Sequence, residues 1–113
     1  MKLIVAIIQP HQLPAVKQAL FDEQIFKITV TNALGCGEED KYQKVYRGVG
    51  FEVELLKKVR LELAVNEDFV ERAIEAIVRG ARTNQVGDGK IFVTDLMDCI
   101  RIRTGERGPG AIG

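Results

Sequence analysis

Residues 57–82, KKVRLELAVNEDFVERAIEAIVRGAR, change hydrophobic period at Asn66. Before it, Val59, Leu61, Leu63 and Val65 share one face, with Lys58, Arg60, Glu62 and Ala64 opposite, the alternation of a half-buried strand. After it, Phe69, Val70, Ala73, Ile74, Ile77, Val78 and Ala81 recur at helical spacing and make a broad apolar stripe. Asn66 is a good helix N-cap type. Glu67 and Asp68 sit where a helix N-terminus favours negative charge, and Arg79 and Arg82 suit the other end. A strand therefore feeds directly into a helix.

The same order occurs upstream. Leu3 to Ile8 is an apolar run closed by Gln9-Pro10, which reads as a central strand. In HQLPAVKQALFDEQ (11–24), Leu13, Val16 and Leu20 share a helical face, and Pro14 fits the first turn, where a missing N–H costs nothing. In IFKITVTNALG (25–35), Phe26, Ile28 and Val30 alternate with Lys27, Thr29 and Thr31, which predicts a half-buried strand ended by Gly35 and Gly37. Beyond the second helix, a strand is expected at Lys90–Val93 and a short extra one at Cys99–Arg103, before a polar, glycine-rich tail. The core order is β-α-β-(long loop)-β-α-β. That predicts an α+β fold, the ferredoxin-like double βαβ, with an antiparallel sheet and both helices on one face.

A chain of 113 residues fits a single domain, residues 1–113, and one of this size often gains stability from oligomerisation. Its 16 basic and 16 acidic residues cancel, so there is no general pull toward nucleic acid or anionic membrane and any anion site must be local. The start, MKLIVAIIQP, is too short for a transmembrane helix and lacks a signal peptide's cleavage region. Cys36 and Cys99 match no zinc or CxxC spacing and read as reduced thiols of a cytoplasmic protein rather than a disulfide. The chain has no serine, which removes serine-nucleophile chemistry, and its one histidine, His11, reads as a surface or capping residue.

Residues 36–56, CGEEDKYQKVYRGVGFEVELL, join two strands that a hairpin of a few residues would serve. One reading is a hairpin extension. The other is a loop that changes shape on binding, hinged at Gly48 and Gly50, with Tyr42, Tyr46 and Phe51 as contact side chains for a partner.

Gly87-Asp88-Gly89 bends the chain straight into Lys90, and RIRTGERG follows soon after. On a strand, Arg101 and Arg103 project together while Ile100 and Ile102 enter the core. Guanidinium forks fit phosphate oxygens, Lys90 adds a point charge, and Gly87 and Gly89 open backbone N–H groups to an anion. The tract reads either as a polyphosphate clamp or as a solvated face neutralised by Asp88, Asp95 or Glu106. It is not a Walker A motif.

TNQVGDGKIFV, IRIRTGERG and YRGVGFEVELLKKVRLELAV together resemble the PII signal-transduction family (nitrogen-regulatory, GlnB-like), over essentially the whole chain. The resemblance implies a homotrimer of ferredoxin-like subunits, ATP or ADP bound in each intersubunit cleft, and a long T-loop, about residues 36–56, that docks on client proteins. By matching motifs it implies Gly87, Asp88, Gly89, Lys90, Arg101 and Arg103 at the phosphates. Thr29, Gly35, Gly37, Glu62 and Ala64 match positions lining the rest of the nucleotide cleft. Ala64 is smaller than the branched residue usual there.

Departures from the family pattern carry their own expectations. Glu38, Glu39 and Asp40 replace the basic residue, glutamine and lysine usual at the loop base of 2-oxoglutarate sensors. Glu39 could ligate Mg²⁺, a hard ion that favours carboxylate oxygen. The three acids repel a dicarboxylate, so despite Lys58, at the effector lysine position, 2-oxoglutarate binding is expected to be weak or absent. Phe51 has no hydroxyl for the uridylylation many relatives undergo, and Val49 none for phosphorylation. The expected function is an ATP/ADP-responsive regulator in nitrogen metabolism or transport, not an enzyme. It would act on a transporter or metabolic enzyme through the T-loop, with Tyr42, Tyr46, Arg47 and Phe51 at the contact. The alternatives are a PII-like sensor of another small anion (bicarbonate or AMP) coupled to a transporter, and a slow ATPase.

Overall fold

The computed structural model describes residues 1–37 and 55–113. Strand β1 spans Lys2–Ile8, a 3-10 turn Pro10–Gln12, helix α1 Leu13–Asp22, and strand β2 Thr29–Gly35. Strand β3 follows at Leu56–Val65, helix α2 at Glu67–Ala81, strand β4 at Gly89–Asp95, and a last helical turn, α3, at Pro109–Ile112. Among the described residues the sheet has four strands in the order β2-β3-β1-β4, all neighbours antiparallel. This is the expected α+β, ferredoxin-like arrangement.

Alternation decides what the sheet buries. Ile4 pairs with Leu63 on one side and Val93 on the other, and Ala6 with Leu61 and Ile91. Ile4, Ala6, Ile8, Leu61, Leu63 and Val65 are buried with Val16, Ala19 and Leu20 of α1 and Val70, Ala73, Ala76, Ile77 and Ala81 of α2. Each fully buried Leu or Ile contributes about 1.5–3 kcal/mol of transfer free energy. The helices approach each other closely at Gly80, where an added Cβ would lie 2.6 Å from the Val16 Cα. Gln12 Nε2 donates to the Gly80 carbonyl beside it, at 3.0 Å. The other sheet face is less covered: Leu3, Val5 and Ile7 are half-buried and Phe92 is 53% exposed.

Two expectations fail locally. The second strand begins at Thr29 rather than at Phe26, because α1 closes with a Schellman turn. Ile25 N–H donates to Leu20 O and Gln24 N–H to Phe21 O, both at 2.9 Å, with Gln24 left-handed at φ 62°. Ile25 and Leu20 are buried together, and Phe26, left outside, packs edge-on against Phe21 at 4.9 Å.

The strand expected at Cys99–Arg103 is not formed either. A single bridge joins Ile100 to Arg107, and the chain turns back between them. Arg101 N–H donates to Glu106 O at 2.8 Å and Gly105 N–H to Arg101 O at 2.7 Å. This loop satisfies its own backbone, so Ile102 is 99% exposed and Ile100 half exposed rather than in the core.

Candidate functional site

The Gly87-Asp88-Gly89 bend is built by residues around it. Helix α2 ends at Ala81, and Asn84 takes a left-handed conformation at φ 65°. The Asp88 carboxylate accepts the backbone N–H groups of Thr83 at 2.8 Å and Asn84 at 2.9 Å, and also the Thr83 hydroxyl. The Thr83 hydroxyl, with those backbone groups, holds the Asp88 carboxyl below the usual carboxylate range. Gln9 Nε2 donates to the Gly87 carbonyl at 2.8 Å. Gly87 and Gly89 have φ of 101° and 107°. A Cβ on Gly89 would lie 1.8 Å from the Ile7 carbonyl oxygen, so only glycine lets β4 start against β1.

This bend forms one wall of a cleft of about 620 Å³. Ile7, Lys58 and Phe92 line its floor, and Gly35, Cys36 and Gly37 close it from the end of β2. Of the residues expected at the nucleotide, Gly35, Gly37, Gly87, Asp88, Gly89 and Lys90 therefore meet within the chain, together with the effector-position residue Lys58. Lys90 pairs with Ile7 and is exposed, whereas Lys58 pairs with Ala33 and is buried. Asp88 lines the cleft, but its carboxylate is engaged by the helix end. The Asp88 N–H is itself turned to Gln85 O at 3.4 Å, and the charged side chain that the bend leaves exposed along the cleft is Lys90.

The remaining expected residues lie elsewhere. Thr29 stands directly opposite Glu62, and Ala64 is two residues further along β3. Glu62 lies four residues from Lys58, about 13 Å along the strand. Ala64 lines a second, smaller cleft of about 220 Å³ with Lys27, Asn66, Phe69, Ile112 and Gly113. Arg101 belongs to this end: its guanidinium bonds the Gly113 oxygen at 3.0 Å and the Glu106 carboxylate at 2.8 Å. Arg101 and Arg103 do not project side by side from a strand, because Arg103 sits in the exposed turn. Neither lines the large cleft. Thr29, Glu62 and Ala64 thus share a sheet face with Lys58 and Lys90 without lining the large cleft.

Glu38, Glu39, Asp40, Tyr42, Tyr46, Arg47, Val49 and Phe51 lie outside the described residues, and with them the loop-base acids, the Mg²⁺ ligand and the partner contact. Among the described residues no cluster of three His, Cys, Asp or Glu side chains could hold a metal. No helix there is long and apolar enough to cross a membrane. His11 is exposed, and Cys36 and Cys99 are free thiols, Cys36 exposed at the cleft mouth. Gln9, Thr83 and Cys36 were not singled out for the bend or cleft. The Thr83-Asn84 pair before Gly87-Asp88-Gly89 is a side-chain-capped turn signal that could have found Thr83.

The family model described as Nitrogen regulatory protein P-II matches residues 1–106. The chain is 50% identical over 112 residues to a nitrogen regulatory protein P-II of Rhodospirillum rubrum, covering 99% of this chain and 100% of that one. It is 49% identical over 112 residues, with the same coverage, to one from Bradyrhizobium diazoefficiens. Among solved structures it is similar to Arabidopsis thaliana PII bound to citrate, with a TM-score of 0.80 and 38% identity over 97% of this chain and 90% of that one.

Proposed function

The chain belongs to the nitrogen regulatory protein P-II family, and we propose that within it this protein is a cytoplasmic homotrimer that senses adenine nucleotides and acts on a client protein through residues 36–56. The observation that carries the proposal is the separation of the two half-sites. The glycine bend with Lys90 lines the large cleft, whereas Thr29 and Glu62 lie one side-chain pair along the ladder toward the β2 edge, Ala64 lines the small cleft, and Arg101 is bonded to the tail beside it. A heterologous contact that lays one end of a protomer against the opposite end of the next closes into a ring and joins the halves at every seam. Phe92, Leu3, Val5 and Ile7 supply apolar surface on the same face.

In this reading the bend's N–H groups and Lys90 bind the β- and γ-phosphates from one side, and Arg101 and Arg103 bind them from the other. Thr29, Glu62 and Ala64 hold the base and ribose. Gly35 and Gly37 tie the cleft to the loop, so the presence of a γ-phosphate biases the loop between conformations. The bias equals the difference in nucleotide affinity between those conformations. Glu38, Glu39 and Asp40 lie next along the chain. Like charges at 4 Å repel by about 1 kcal/mol even in water. ATP therefore needs Mg²⁺, for which Glu39 is the candidate ligand, or ADP is preferred. The same acids oppose 2-oxoglutarate, and Phe51 excludes uridylylation at that position. The protein regulates rather than catalyses: the large cleft presents cations and backbone donors, while the Asp88 carboxylate is held inside its turn.

Calorimetry with ATP and ADP, in Mg²⁺ and in EDTA, tests this. Binding of either nucleotide is expected, with ATP no tighter than ADP in EDTA; tighter ATP binding in EDTA rejects the role of the loop-base acids. Pull-downs in ATP and in ADP, beside a variant lacking residues 42–50, test the client contact.

A second reading has its own support: the solved relative from Arabidopsis thaliana holds citrate, a small carboxylate anion. A sensor of another small anion, such as bicarbonate or AMP, coupled to a transporter would use the same cations. A thermal-shift screen separates the two, since a native-state ligand at 100 Kd adds about 2.7 kcal/mol.

A further inference from the structure

We propose that the C-terminal segment Gly108–Gly113 is a built-in competitor for Arg101, a latch that an incoming phosphate must displace. The inference rests on the reading of Arg101 as a phosphate ligand. The Arg101 guanidinium is already engaged: Nη1 donates to Glu106 Oε2 at 2.8 Å. Its Nη2 faces the oxygens of Gly110 at 3.1 Å, Ala111 at 3.5 Å and Gly113 at 3.0 Å. A carboxylate and a fan of carbonyl oxygens surround the fork much as phosphate oxygens would.

The segment is held by side chains from elsewhere in the fold. Lys27 Nζ donates to Gly113 O at 2.9 Å and Ile112 O at 3.5 Å, and Asn66 Nδ2 to Pro109 O at 3.1 Å. The base of the segment is pinned where Gly108 N–H meets Cys99 O at 2.9 Å and Asp98 Oδ1 at 3.2 Å. Its helix is a single turn of four residues, too short to persist by itself. Its docked position therefore depends on these hydrogen bonds, most of them exposed, and on half-buried Ile112, a hold that a multivalent anion can outcompete. Ile112 and Gly113 also line the small cleft beside Ala64, so the docked segment touches the half-site that would receive the base.

Tail and phosphate use the same donors and exclude each other. The apparent nucleotide affinity is then the intrinsic affinity reduced by the fraction of molecules with the tail undocked. The latch sets the nucleotide concentration at which the sensor responds.

The test is calorimetry with MgATP and MgADP on the unaltered protein and on two variants, Lys27→Ala and Lys27→Ala/Glu106→Gln. Lys27 and Glu106 are exposed, so the fold should tolerate the changes. The double variant loses one cation and one anion, leaving net charge unchanged. The latch predicts binding about tenfold tighter in the double variant, equivalent to about 1.4 kcal/mol. It also predicts tighter binding in Lys27→Ala alone, although removing a cation near an anion site should weaken binding by simple electrostatics. Hydrogen exchange gives the second readout: MgATP should speed exchange of the Gly108 and Ala111 amides in the unaltered protein. Unchanged or weaker binding in both variants, or slower tail exchange with MgATP, overturns the latch and leaves the nucleotide reading standing. Absence of nucleotide binding in all three proteins overturns both.

Discussion

Replacing Gly89 by alanine should break the site and much of the fold's stability together. The new methyl carbon would start 1.8 Å from the Ile7 carbonyl oxygen and 2.9 Å from its carbon, both backbone atoms of a central strand. No rotamer change relieves that overlap, so β1 and β4 must separate where Ile8 pairs with Gly89 and Ile7 with Lys90. The positive φ of 107° adds strain of about 1–2 kcal/mol for a residue with a Cβ. Losing one or two ladder hydrogen bonds adds about 0.5–1.5 kcal/mol each. The total, about 1.5–5 kcal/mol, is a large share of the 5–15 kcal/mol typical of a domain. Gly105→Ala is the control: its φ is 72°, but nothing lies within 4 Å of the added carbon, so only the strain of about 1–2 kcal/mol applies. Urea unfolding at fixed protein concentration measures both. A Gly89→Ala midpoint within error of that for Gly105→Ala would refute the steric reasoning.

Three further outcomes follow from the geometry. Asp88, Asp95 and Asp98 have carboxyl pKa values lowered by the Thr83 hydroxyl, Lys2 and Arg107, respectively. A carboxyl depressed on folding contributes stability above its unfolded pKa and loses it as pH falls through the folded value, so urea midpoints should drop on acidification below about pH 4. The drop should be shallower in Asp88→Asn. Gln24→Gly should raise stability by about 0.5 kcal/mol, because relief of left-handed strain exceeds the added freedom of the unfolded chain; a lower urea midpoint would contradict this. Gly80→Ala forces a methyl against the backbone of α1 at Val16 and should cost about 1–3 kcal/mol, measured the same way.

Strand β3 and helix α2 were legible because one switches cleanly into the other at Asn66, though that residue caps no backbone group by its side chain and instead reaches Pro109. The register of β2 was not legible, because a glutamine rather than a glycine occupies the left-handed position closing α1. Ile100-Arg101-Ile102-Arg103 alternates like a strand, yet a strand needs a partner, and alternation alone does not say whether one is there. The glycine bend was legible as a turn leading into β4. Its aspartate was grouped with the ligand-facing residues, whereas the carboxylate closes the turn, because short-range hydrogen bonds to Thr83 and Asn84 outcompete a distant ligand. That Arg101 stands apart from the cleft lined by Lys90 depends on where it folds back onto the tail, which no local pattern encodes.

A mixed-protomer titration tests the shared site most directly. Lys90→Ala and Arg103→Ala proteins are each titrated with MgATP, then unfolded together, refolded and titrated again. If each seam draws Lys90 from one protomer and Arg103 from the next, neither variant binds tightly alone. About one seam in four of the whole refolded mixture, one of the three in each ring that holds both variants, should then regain full affinity. Mixtures that bind no better than the separate variants would contradict a site built between protomers.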